Sequence, residues 1–196
     1  VYYAEYAPGT TDYSTLILDA QAAGAEILLG MPTTPDGIAI MKALAELGWT
    51  PKFTMLVRAP DAANWGEALG TTGDLVTMFA GWHYGEDFPG VAELNAKHEA
   101  EFGRPSDILV GPAYACVQIL ADAITRAGTL DRDAIRDAIA DTDMMTVIGQ
   151  VSFNADGTGN VLNPLVQWQG GEMQLVWPLD QATADFIFPA PAFEER

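Results

Sequence analysis

Cations are scarce in this chain. Its 196 residues carry 9 lysines and arginines against 27 aspartates and glutamates, a formal charge of −18. No Lys/Arg cluster stands anywhere; the nearest, Arg126, Arg132 and Arg136, is diluted by aspartates. Counterion release then has nothing to work on, which excludes nucleic acid as a partner. An anionic membrane surface repels such a chain. The single cysteine, Cys116, excludes an internal disulfide. Its setting in the apolar stretch Ala113–Val117 predicts a buried, inert thiol. No run reaches the roughly 18 apolar residues that a membrane-crossing helix needs.

Chemistry is equally thin. The two histidines, His83 and His98, fall on different elements, so no metal-ligand cluster forms. His98 shares a stripe with Val91, Leu94 and Phe102 and reads as a core or boundary histidine. No GxGxxG or Walker loop follows a strand. Ser14, Ser106 and Ser152 all lack the GxSxG elbow of a hydrolase. The pairs Asp131/Asp133 and Asp141/Asp143 lie at helix boundaries, where carboxylates cap and solvate. No cofactor, metal or catalytic residue is expected; the enzyme hypothesis is poor and binding is favoured. There is also no initiator Met, basic n-region or apolar h-region, so a mature or truncated product is expected.

What is present is a rhythm. Strand-like runs begin near Val1, Glu26, Lys52 and Leu75, with amphipathic segments between them. That alternation is the βαβ pattern of a parallel sheet, an α/β fold with helices on both faces. Helices are predicted over Tyr13–Ala23, with Thr11 or Asp12 as cap, and from Thr34 to Leu47. The second start carries Thr34 as cap, then Pro35 and Asp36 in the first turn. After Phe79 the rhythm changes to mostly helix, around Val91–Phe102, Val117–Ile124 and a third helix capped by Asp131. Gly149–Phe153 reads as extended, followed by the turn NADGTGN. LVQWQ and EMQLVW around Gly170-Gly171 read as a hairpin with a primed turn. The domain reading is residues 1–79 with 160–178 in one lobe, 83–156 as a mainly helical part of another, and 179–196 as a surface tail.

Ligands of open α/β sheets gather beyond the carboxyl ends of the strands, which singles out the loops there. Met31–Thr34 feeds a helix whose first N–H groups are unpaired and favour an anionic or polar head group; Thr34 serves as cap, as ligand contact, or both. Arg58 is the sole cation at any predicted strand end. It either forks a ligand carboxylate or pairs on the surface with Asp61. Trp82, His83 and Tyr84 follow the fourth strand and either wall a pocket or pack a hinge. Tyr114 opens the long helix and can aim its hydroxyl into a cleft.

Taken in order, YAPGTTDYS, AAGAEILL, LAELGWTPKF and ALGTTGD resemble the second lobe of type I periplasmic binding proteins, of the branched-chain amino acid (leucine/isoleucine/valine) group that serves ABC importers. FGRPSDILVGPAYACVQILADAITRAGTLDRDAIRDAIA resembles that family's return into the first lobe. VIGQVSFNADGTG and LVQWQGGEMQLVWP resemble its close. The resemblance implies a two-lobe fold whose upstream portion is missing from this chain. It implies capture of a small molecule between hinged lobes and delivery to a membrane ABC permease, in the periplasm or outside the cytoplasm, without membrane insertion. A ligand-sensing domain of a regulator or receptor uses the same fold. In amino-acid-binding members the loop after the second strand lends an aromatic or hydroxyl group, which maps to Thr33 or Thr34. An acidic residue near Val57–Arg58 usually takes the ammonium. Here an apolar residue and a cation stand instead, which puts a standard α-amino acid ligand in question. The expected ligand is a small carboxylate-bearing or amino-acid-like molecule, contacted by Met31, Thr33, Thr34, Arg58, Trp82, His83 and Tyr114.

Overall fold

The computed structural model describes residues 1–196 except Pro8 and Ala63, which fall in the predicted loops APGTTD and RAPDAAN. Two compact units emerge: residues 1–79 with 165–196, and residues 80–164.

In the first unit, helices α1 (Ser14–Ala22), α2 (Thr34–Glu46) and the short α3 (Trp65–Leu69) alternate with strands β1 (Ile27–Gly30), β2 (Phe53–Leu56) and β3 (Val76–Phe79). β1, β2 and β3 pair in parallel. The chain returns as a hairpin, β7 (Leu165–Gln169) and β8 (Glu172–Trp177), whose first strand pairs antiparallel with β3. The sheet order is therefore β1-β2-β3-β7-β8, parallel on one side and antiparallel on the other. Gly170 and Gly171 both take positive φ, +62° and +83°, as a type I′ turn requires. α2 presents Ile40, Met41 and Leu44 to a core that also holds Leu56, Trp65, Val76 and Trp168. Their spacing is one helical face. The tail closes on the same unit: the Ala190 N–H donates to the Lys52 carbonyl at 2.9 Å, and Arg196 Nη1 to the Asp74 carbonyl at 2.8 Å.

Two expectations for this unit need correction, and the hairpin adds a detail of its own. The run Val1–Tyr6 forms no strand, and among the described residues the outer edge of β1 carries no ladder partner. The cap of α2 is Thr33 and not Thr34. Trp168 is buried, but Trp177 is 44% exposed. An irregularity at Leu165/Val166 pairs Val166 with Leu175 and Leu165 with Trp177, so Val176 turns inward in place of Trp177.

The second unit carries α4 (Val91–Phe102), α5 (Val110–Ala127) and α6 (Arg132–Ala140). It also holds an antiparallel sheet of β4 (Asp143–Thr146), β5 (Gly149–Phe153) and β6 (Gly159–Asn160). β4 and β6 escape the sequence pattern because both are short and largely exposed. The cap of α6 is as read: Asp131 Oδ1 accepts from the N–H groups of Asp133 and Ala134 at 3.1 and 3.0 Å. α5 begins at Val110, two residues before Pro112, since a proline in the first turn forfeits no helical hydrogen bond. Its buried positions are Gly111, Ala115 and Ala123. Cys116, one step round the helix, is exposed, which corrects the expectation of a buried thiol.

Candidate functional site

At the carboxyl ends of β1 and β2 the first unit opens a hollow of about 780 Å³. Gly30, Met31 and Thr33 line it from the β1 end, Met55 and Val57 from β2, and Tyr2, Tyr3, Glu5 and Tyr6 from the N-terminal segment. Sequence reasoning missed that aromatic wall. Its alternation reads as a strand, and only its placement against Leu29 and Gly30 makes it a lining. The Tyr3 hydroxyl donates to Glu5 at 2.6 Å.

The rim is set by α2. Thr33, at extended φ and ψ, donates its hydroxyl to Asp36 Oδ2 at 2.7 Å. The Gly9 N–H reaches the other oxygen at 3.3 Å. The Thr33 hydroxyl holds the buried Asp36 carboxyl below the usual carboxylate range, against the opposing effect of burial. Burial first, and then Asp36, push the Tyr13 phenol well upward. Two consequences correct the sequence reading of an anion site at this helix start. The positive end of the α2 dipole already faces an internal carboxylate. Thr33 has its one hydrogen committed, so outward it offers lone pairs alone.

The expected site residues fall into separate groups. Met31 is 81% exposed and lines the hollow with Thr33; Thr34 is half-buried and lines no part of it. Val57 faces the hollow, whereas its neighbour Arg58 is not among the lining residues, as strand alternation requires. Arg58 Nη2 contacts Asp61 Oδ2 at 2.7 Å; the arginine side chain stays 61% exposed while the aspartate's is 8% exposed.

The remaining three belong to the second unit. Trp82 has no exposed surface, and its indole N–H donates to the Val147 carbonyl at 2.9 Å. His83 is buried and stacks on Tyr84 with ring centroids 4.4 Å apart. Its Nδ1 accepts from the Gly85 N–H at 3.0 Å. The expectation that Trp82 and His83 wall a pocket is therefore corrected: both are core residues of the loop before α4. An indole whose N–H is satisfied internally packs best when fully enclosed. Tyr114 on α5 is exposed. In the same loop the backbone N–H of His83 donates to Glu86 Oε2 at 2.9 Å, and burial pushes the Glu86 carboxyl up to about 7. Among the described residues no group of three or more His, Cys, Asp or Glu is placed to hold a metal, and no helix is long and apolar enough to cross a membrane.

Comparison with known proteins gives a consistent result. The sequence model of the periplasmic binding protein family matches residues 1–172. The chain is 22% identical over 201 residues to a Leu/Ile/Val-binding protein homologue of Brucella abortus, covering 94% of this chain and 49% of that protein. It thus spans about half the length of the curated relatives it matches. In structure it is similar to a leucine-binding protein of Thermotoga maritima, with a TM-score of 0.73 and 20% identity over 85% of this chain and 48% of the other. It is also similar to an R. palustris ABC-transporter solute-binding protein in complex with benzoate, with a TM-score of 0.70 and 14% identity over 94% and 48%. At these identities the structural likeness speaks for the fold alone.

Proposed function

The chain belongs to the periplasmic binding protein family, and from that premise we propose that it is the ligand-capturing portion of an extracytoplasmic solute receptor. It takes a small carboxylate-bearing or amino-acid-like molecule and presents it to an ABC permease in the membrane. The observation that carries this reading is the hollow of about 780 Å³ at the carboxyl ends of β1 and β2, the place where open α/β sheets collect ligands. Met31 supplies an apolar contact and Thr33 an acceptor oxygen. Thr34 and Arg58 flank the same strand ends, and Tyr114 is the exposed candidate of the second unit. Trp82 and His83 act from the core, by holding the loop in which they sit. Relatives named as binding proteins support capture without chemistry, and a periplasmic location.

A thermal-shift screen of this chain against amino acids, aromatic acids, dicarboxylates and amides tests the reading. A ligand at a hundred times its Kd raises stability by about 2.7 kcal/mol. The expected result is a concentration-dependent rise with at least one class. A flat response across all four overturns the proposal.

A further inference from the structure

The hollow at the ends of β1 and β2 has mostly spent its hydrogen-bond donors and kept its acceptors. Four side-chain hydroxyls line it, those of Tyr2, Tyr3, Tyr6 and Thr33. Three of them donate to carboxylates: Tyr2 to Asp19 Oδ2 at 3.4 Å, Tyr3 to Glu5 Oε1 at 2.6 Å and Thr33 to Asp36 Oδ2 at 2.7 Å. A hydroxyl that has given its hydrogen offers only lone pairs. No lysine, arginine, histidine or side-chain amide is among the lining residues. The charged side chains of the lining, Glu5 and Asp36, are both carboxylates. Asp36 is buried and held by Thr33 and the Gly9 N–H. Glu5 is exposed, and one bond from Tyr3 leaves most of its roughly four lone-pair sites open.

A recess with that inventory suits a hydrogen-bond donor that carries positive charge. Walls of one sign focus their field on the space between them, and a tyrosine ring attracts a cation within about 6 Å of its centre. A free carboxylate meets the opposite: two like charges and a wall whose hydroxyls are mostly given to acids. The apolar body of a cationic ligand also has a place. A smaller cavity of about 170 Å³ shares Tyr2, Tyr6 and Leu29 with the hollow and is lined beyond them by apolar side chains such as Ile17, Ile40 and Leu56.

We propose that the hollow reads a cationic head group, with Glu5 as its specificity-determining residue, and that the ligand is an amino-acid-like molecule with a free ammonium, an apolar body and no free carboxylate. This rests on the solute-capture reading above. It names the ligand class of that same site.

The test uses four probes by calorimetry on this chain: leucinamide (leucine with its carboxyl masked), isoamylamine (leucine without its carboxylate), leucine, and isocaproate (leucine without its amine). Measurement at pH 6 keeps the amines protonated, below the roughly 7.7–8.0 of an α-amino group. Leucinamide and isoamylamine are expected to bind at least about tenfold more tightly than leucine, and isocaproate not to bind. Glu5→Gln keeps an acceptor for the Tyr3 hydroxyl but removes the charge. It is expected to weaken leucinamide about tenfold and to lower the leucinamide-to-leucine ratio. Glu67→Gln makes the same charge change at an exposed carboxylate of α3 that does not line the hollow, and is expected to leave that ratio unchanged. Leucine binding as tightly as leucinamide, or isocaproate binding best, overturns the proposal while leaving solute capture standing. A leucinamide preference that survives in Glu5→Gln, or that falls equally in Glu67→Gln, overturns it too, because the overall charge of −18 would then be the cause. Failure of all four probes, with a positive response elsewhere in the thermal-shift screen, overturns the ligand class alone; a flat screen overturns both readings.

Discussion

Each unit is organised around one tryptophan with no exposed surface, but the two differ in what surrounds it. Trp65 donates its indole N–H to the Gly73 carbonyl at 3.1 Å, inside a core built from α1, α2, β2, β3 and β7. Trp82 donates to the Val147 carbonyl at 2.9 Å, and the buried residues clustered with it are Val91, Ala115 and Val147. α6 buries no residue, and α5 leaves Tyr114, Val117 and Leu120 between 45 and 65% exposed. In the first unit α1 and α2 cover β2 and β3 with that core, whereas in the second α4 and α5 supply the helical part of the cluster around Trp82. The same device, an enclosed indole bonded to a carbonyl, thus sits in a large core in one unit and in a small cluster in the other.

Truncating the two indoles separates the units most sharply. Trp65→Ala and Trp82→Ala are each expected to cost about 3–5 kcal/mol, as large-to-small core changes do. In hydrogen exchange, Trp82→Ala should strip protection from α5, β4 and β5 while leaving α2 and β2 protected. Equal loss in both units would mean that they unfold as one, and the comparison would break.

Acidity probes the Trp82 loop next. Burial raises the Glu86 carboxyl from an ordinary value of 4.5 to about 7, so the folded chain holds a proton that the unfolded chain releases. Its contribution to stability is fully present below about pH 4.5 and is lost as the pH rises through about 7, by at most about 3 kcal/mol. Denaturant unfolding at pH 5 and pH 8 should show that decline, and Glu86→Gln should flatten it. An unchanged slope in the variant would remove Glu86 as its source.

Close approaches to glycine sharpen the comparison at smaller scale. A Cβ on Gly111 would lie 2.3 Å from the Trp82 ring, and one on Gly37 would lie 2.5 Å from Ala59. Gly111→Ala and Gly37→Ala are each expected to lose about 1–3 kcal/mol by overpacking. The former should be read out in the second unit and the latter in the loop after β2 that holds Ala59. The smallest effect is at the α6 cap: Asp131→Ala should lower the melting temperature by the equivalent of about 1 kcal/mol.

Much of the fold was legible before any coordinates. Apolar runs at βαβ spacing, the proline and aspartate opening α2, the Asp131 cap and the double glycine of the hairpin are local signals. Each acts within a few residues through backbone preference or amphipathic period, so the chain declares them wherever it folds. The strand-end loops bearing Met31, Thr33 and Arg58 were found by the same logic.

Pairing, exposure and company were settled only by tertiary structure. Val1–Tyr6 has the alternation of a strand, but a strand exists only where a neighbour completes its ladder. Here the run enters no ladder, and its tyrosines wall the hollow. Trp82 and His83 follow a strand end as pocket residues would, yet enclosure by Val91, Ala115 and Val147 and a bond to a distant carbonyl made Trp82 part of a core. Whether Arg58 meets Asp61, and whether Thr33 spends its hydrogen on Asp36, depends on side-chain geometry that no spacing encodes. The sequence by itself determined where segments begin, turn and end, because those choices are made by neighbouring residues. The packing of distant residues decided which side chains are spent on the fold and which remain for a ligand.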